Sequence, residues 1–143
     1  MQKIIENYEY KEIVERQIDE IVNFLLDKNQ EFSIVVNTKN LTFSPILPSE
    51  IMENILEFSL FTLSNYTFTT VRIEENNLYF EAGFGSENFG SLVKVPLYSI
   101  LQIVIDDSIL YLNPSATVEK FSEGNIEKSK NVFKSNPNNK KFE

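Results

Sequence analysis

The chain has 143 residues, a length for one domain, with 13 basic against 21 acidic side chains and no His, Cys or Trp. That excludes a Ser–His–Asp triad, a thiol nucleophile, a haem ligand and a Cys/His zinc site, while catalysis by carboxylates alone stays open. Residues 1–118 hold 7 basic and 17 acidic side chains, and residues 119–143 hold 6 and 4, so the folded part lacks the basic stripe that a nucleic acid needs.

The first element is a helix over about residues 8–28. Tyr10, Val14, Ile18, Ile21 and Leu25 follow helical spacing and form one apolar stripe. Asn29 suits the left-handed residue that ends it. Ile13, Val22, Phe24 and Leu26 widen the apolar surface beyond one face, which makes a dimer contact a second use for this helix.

The period then changes to two. Phe32–Val36 is a β-branched run, and Leu41–Ser44 is a short second strand stopped by Pro45. Ser49 can cap a helical turn that puts Ile51 and Ile55 on one face. Leu56–Leu63 reads as a strand with Phe58 and Leu60 together on one side. Phe68, Thr70 and Arg72 alternate with Thr69, Val71 and Ile73, and predict another strand.

Glu74-Glu75-Asn76-Asn77 signals a hairpin, because Asn tolerates positive φ. Leu78, Phe80 and Ala82 form the return strand, and Gly83 to Ser91 reads as a glycine-rich loop. Leu92–Val95 resumes β character until Pro96, Leu97–Ile105 is almost continuously apolar, and Ile109–Leu112 is a last strand. From Glu119 onward Asn, Lys, Ser and Glu dominate, and that composition predicts a flexible tail. The expected architecture is therefore α+β and mainly β. It has an N-terminal helix, a meander of antiparallel strands closing into a small, partly open barrel, and a tail from 119 to 143.

Few motifs carry chemistry. Gly83-Phe84-Gly85 with Gly90 lacks the spacing and the Lys of a phosphate loop; turn glycines or a close approach of another backbone explain it better. The adjacent carboxylates Glu74-Glu75 and Asp106-Asp107 point apart and read as solvated turn charges. Neither an enzyme nor a metal or cofactor is expected. Met1–Glu9 is polar and no apolar run nears the roughly 20 residues that cross a bilayer, so a cytoplasmic chain with no membrane partner is expected.

The run Asn77-Leu78-Tyr79-Phe80-Glu81-Ala82-Gly83-Phe84-Gly85, followed by Val93-Lys94-Val95-Pro96-Leu97, resembles the core signature of the SspB family. These are the stringent starvation protein B adaptors, which deliver substrates to the ClpXP protease. Phe80, Ala82, Phe84 and Gly85 match its F-x-A-x-F-G-G run, and Val93, Val95, Pro96 and Leu97 match its V-x-V-P strand. Leu25-Leu26-Asp27, Ile34-Val35-Val36-Asn37 and Leu112-Asn113-Pro114 resemble flanking elements in the same order. Ser86 replaces the second glycine of the pair, Gly83 stands where relatives have Arg, and the basic-apolar ending of family tails is absent.

This resemblance implies a bacterial, Sm-like or SH3-like barrel that is a homodimer through Tyr10, Val14, Ile18 and Ile21 of the first helix. It implies a groove of Ala82, Gly83, Phe84, Gly85 and Ser86, to which the facing turn Tyr66, Thr67 and Phe68 is added. The groove would hold an ssrA-type tag peptide, and the tail, through Val132, Phe133 and Lys134, would dock to the ClpX unfoldase. Linking two weak contacts in this way makes the second intramolecular and so strengthens both. The alternative on the same barrel is a binding module for another peptide or protein partner, without protease docking.

Overall fold

A computed structural model of the chain describes residues 3–121. Helix α1 covers Tyr8–Asp27. Asn7 caps it by accepting a hydrogen bond from the Tyr10 amide at 3.0 Å, and Asn29 leaves it in the left-handed region. Strands β1 (Phe32–Asn37) and β2 (Thr42–Ser44) follow, then a single helical turn α2 (Ser49–Met52), strand β3 (Phe58–Leu63) and a short helix α3 (Asn65–Thr69). The rest is β4 (Arg72–Glu74), β5 (Asn77–Phe84), β6 (Phe89–Pro96), β7 (Ile100–Ile105) and β8 (Ser108–Leu112).

The strands form two antiparallel sheets of four, ordered β3-β1-β7-β8 and β2-β6-β5-β4. No closed barrel is found among the described residues. The connectivity is also not a simple meander: β1 lies between β3 and β7, and β2 crosses to the edge of the other sheet. The two sheets and α1 share one core. Ile34, Val36, Ile100 and Ile103 come from the first sheet, Leu78, Phe80, Val93 and Val95 from the second, and Val14, Ile18 and Val22 from α1, all fully buried. Phe61 of β3 meets Phe80 of β5 across the interior, ring centroids 5.5 Å apart.

Three expectations are corrected. Phe68 to Ile73 is not one strand but α3 followed by β4. The Thr69 and Thr70 hydroxyls donate to the carbonyls three residues back, which supports a helical turn. The turn also lets Phe68 bury edge-on against Phe32, centroids 6.3 Å apart. The glycine-rich stretch is mostly strand: β5 and β6 pair from Asn77↔Pro96 to Phe84↔Phe89, leaving only Gly85–Asn88 as the turn. The fold also runs past the expected boundary at residue 118. Phe121 is fully buried, with its ring edge-on to Tyr8 and Tyr98. The rest of the expected tail, including Val132, Phe133 and Lys134, lies outside the described residues.

Asn113 ties the last described segment to the core. Its buried amide donates to the carbonyls of Tyr98 and Ile100 at 3.1 and 2.9 Å, and its Oδ1 accepts from the Ser115 amide and hydroxyl. Asn37 completes this seam by donating to the Ala116 carbonyl at 3.1 Å. No helix among the described residues is long and apolar enough to cross a membrane.

Candidate functional site: two cavities at the β5–β6 hairpin

The hairpin β5–β6 projects beyond its neighbour strand. β4 pairs only with Asn77–Tyr79 of β5, so the edge of β5 from Glu81 onward has no strand beside it among the described residues. The Glu81 amide turns to that side and donates to the Thr70 hydroxyl at 2.9 Å. By the two-residue repeat of a strand, the Gly83 backbone faces the same open side. Facing this edge across a gap is the start of α3. The gap is a cavity of about 570 Å³, bounded by Tyr66 and Thr67 on one wall and Glu81, Ala82, Gly83 and Gly90 on the other.

Its rim is polar. The Tyr66 side chain is 67% exposed, and its hydroxyl donates to Glu81 Oε1 at 3.3 Å, spanning the mouth. Ser91 Oγ donates to the Pro45 carbonyl at 2.8 Å and fixes the far wall. Gly83 and Gly90 are cross-strand partners, yet their surroundings differ. A Cβ at Gly83 would collide with the Asn88 side chain, whereas one at Gly90 would meet nothing within 4 Å. Gly90 therefore leaves space on the cavity side, and a side chain there would fill it.

A second cavity of about 470 Å³ lies around the hairpin tip, between it and α2. Phe84, Phe89, Ile51 and Ile55 supply apolar surface, and Glu50 and Glu87 stand at its edge. Phe84 is held by edge-on contacts with Phe43 and Phe61, centroids 5.7 and 6.3 Å apart. Gly85 sits at φ +74° in the turn, and a Cβ there would lie 3.0 Å from Ile51 Cδ1. Its glycine is thus explained by the turn and by the packing of α2, rather than by approach of a ligand.

The expected groove residues are accordingly divided. Ala82, Gly83, Tyr66 and Thr67 meet at the first cavity, while Phe84, Gly85 and Ser86 line the second. Phe68 reaches neither and belongs to the core. Sequence reasoning missed Pro45, Ser91 and Gly90 in the first cavity and Ile51, Ile55 and Phe89 in the second. The one available signal was the hairpin register, which sets Gly90 opposite Gly83.

The expected pairing surface on α1 also shifts. Val14 and Ile18 are fully buried in the chain's own core and cannot face a partner, while Tyr10 and Ile21 are half-buried on its flank. Tyr8, Ile13 and Phe24, 45%, 40% and 57% exposed, are the large apolar side chains that α1 leaves outward. Tyr111 of β8 donates its hydroxyl to Gln17 of α1, and burial raises its pKa. No protein-family model and no curated protein matches this sequence.

Proposed function

We propose that this chain is a non-enzymatic peptide-binding adaptor of the SspB type, which captures ssrA-type tags and passes their bearers to ClpXP. The observation that carries the reading is the edge of β5 from Glu81 onward, with no strand beside it among the described residues, next to a cavity lined by Ala82 and Gly83 of the run on which the resemblance rests. An extended peptide has what this edge lacks: alternating N–H and C=O groups to pair with the Glu81 carbonyl and the Gly83 backbone. Its side chains on one face would enter the space between Tyr66 and Gly90.

In this reading the two sheets are the halves of a partly open, Sm-like barrel. Two copies pair through the outward Ile13 and Phe24 of α1, and the residues beyond Phe121 supply the ClpX contact. Titration of a labelled ssrA-tag peptide, followed by fluorescence anisotropy, tests it. Saturable binding that is abolished by Gly90→Val, with an unchanged circular dichroism spectrum, is the expected result. Undiminished binding by Gly90→Val would move the site elsewhere, and absence of binding by the folded protein would remove the adaptor reading.

A further inference from the structure

The second cavity lies along the path that a peptide on the β5 edge would take. From Glu81 to Phe84, where β5 ends and the second cavity begins, is three strand steps, about 10 Å, so one extended segment of a few residues spans from the first cavity to the second. The two cavities ask for different side chains. The first is rimmed by hydroxyls, amides and the Glu81 carboxylate. The second has an apolar floor of Ile51, Ile55, Phe84 and Phe89. This floor continues through Ile55 and Phe84 into a shallow apolar groove beside β3, where Leu56 and Leu60 are exposed.

The charge around this floor is of one sign. Glu50 and Glu87 border it, Glu81 lies at the neighbouring rim, and among the described residues neither Lys nor Arg lines any of these three hollows. Glu50 and Glu87 form no ion pair among the described residues. An apolar side chain satisfies the floor, and a cation beside it satisfies the edge.

We infer that the second cavity takes an apolar side chain of the bound peptide with a Lys or Arg next to it, so that the chain selects basic-apolar peptides. This rests on the peptide-binding reading above and names its ligand class. An acidic residue at the same place meets carboxylates with no cation to offset them. Exposed ion pairs are individually weak and screened by salt, so the preference is modest at low ionic strength and fades as salt rises.

The test compares three labelled Ser/Gly peptides with the full-length protein, carrying a central Phe-Lys, Phe-Glu or Ser-Lys pair. Phe-Lys should bind about fivefold more tightly than Phe-Glu at low salt, a gap that closes toward high salt. Ser-Lys should bind more weakly than Phe-Lys, because the floor is left wet. The double variant Glu50→Gln/Glu87→Gln, changed at two exposed positions, should bind Phe-Lys and Phe-Glu alike while keeping its circular dichroism spectrum.

Equal affinity for Phe-Lys and Phe-Glu in the unaltered protein, or a preference that survives the double variant, would overturn the inference. If peptides bind without charge preference and Gly90→Val still abolishes that binding, the peptide groove stands and the basic-apolar selectivity fails. If none of the three peptides nor the tag binds, both fall together.

Discussion

Helix α1 and the tip of the β5–β6 hairpin both carry dense apolar sequence, but they use it differently. Along α1 the residues Val14, Ile18 and Val22 lose all exposure to the two sheets, and Leu25 retains 2%. At the hairpin tip Phe84 and Phe89 are only half-buried, with open space beside them. The cause is what each element is set against. The 20-residue helix places Val14, Ile18, Val22 and Leu25, spread over most of its length, in the core it shares with both sheets. The four-residue turn of the hairpin is opposed by the single turn α2. Apolar side chains that a fold can cover stabilise it, and those left facing a cavity remain available to a ligand.

The sharpest way to break this contrast is a charge at the closed end. Ile18→Glu places a carboxylate where the side chain has no contact with solvent. The expected loss exceeds about 4 kcal/mol, enough to unfold a small domain. Denaturant unfolding and circular dichroism would show it. A folded monomer that has merely lost a partner would instead mean that Ile18 faces a second copy. Next in size is Phe121→Ala. Removing a fully buried ring packed on Tyr8 and Tyr98 should cost about 3–5 kcal/mol. A much smaller cost would place the turn at Glu119–Phe121 outside the cooperative fold.

The open end should respond differently. Gly90→Val adds a β-branched side chain to a strand position with no neighbour within 4 Å. Its effect on stability should stay within about 0.5 kcal/mol, while peptide affinity is lost. A large destabilisation would show that the cavity is packed in solution, and the distinction between the two ends would fail there.

How legible each end was follows from the same physics. α1 was readable because 20 residues give five repeats of the helical period, and Asn29 marks the stop. The Glu74–Asn77 hairpin was readable because Asn tolerates positive φ and Asn76 adopts it; Glu75 adopts it too, which its residue type does not announce. What the sequence could not settle was what covers what. Val14 and Ile18 read as core with a dimer face as a second use, and only the burial of the folded chain decides between them. Phe58 and Leu60 do share a face of β3, but it is the outer one; Phe61 and Leu63 turn inward. Phe68, Thr70 and Arg72 matched a period of two over too few residues to outvote burial of Phe68 against Phe32. Phe121 sits in a polar stretch, where a lone aromatic gives no local sign of the pocket that Tyr8 and Tyr98 build for it. At the site, the first cavity joins segments from β2, α3 and the hairpin, so proximity in sequence revealed only the hairpin wall.

The smallest expected effect tests whether the closed end is as dry as its apolar residues suggest. Glu15 lies on α1 among them, and its residue is 6% exposed. Burial raises its carboxyl pKa, against the opposing pull of Lys11, whose ammonium is 3.5 Å away; the nearby charge of Glu12 raises it a little further. A carboxyl with a raised folded pKa binds its proton more tightly in the folded chain than in the unfolded one. Its ionisation therefore costs stability, in full above the folded value and not at all below the unfolded one. Glu15→Gln removes that term. The variant should gain stability relative to the unaltered chain as pH rises from below the ordinary carboxylate range toward neutrality, with the gain levelling off once Glu15 is fully ionised. Urea midpoints measured across that range would show the divergence. Parallel curves for the two proteins would mean that water reaches Glu15, and that the Lys11 pair balances what remains of the burial.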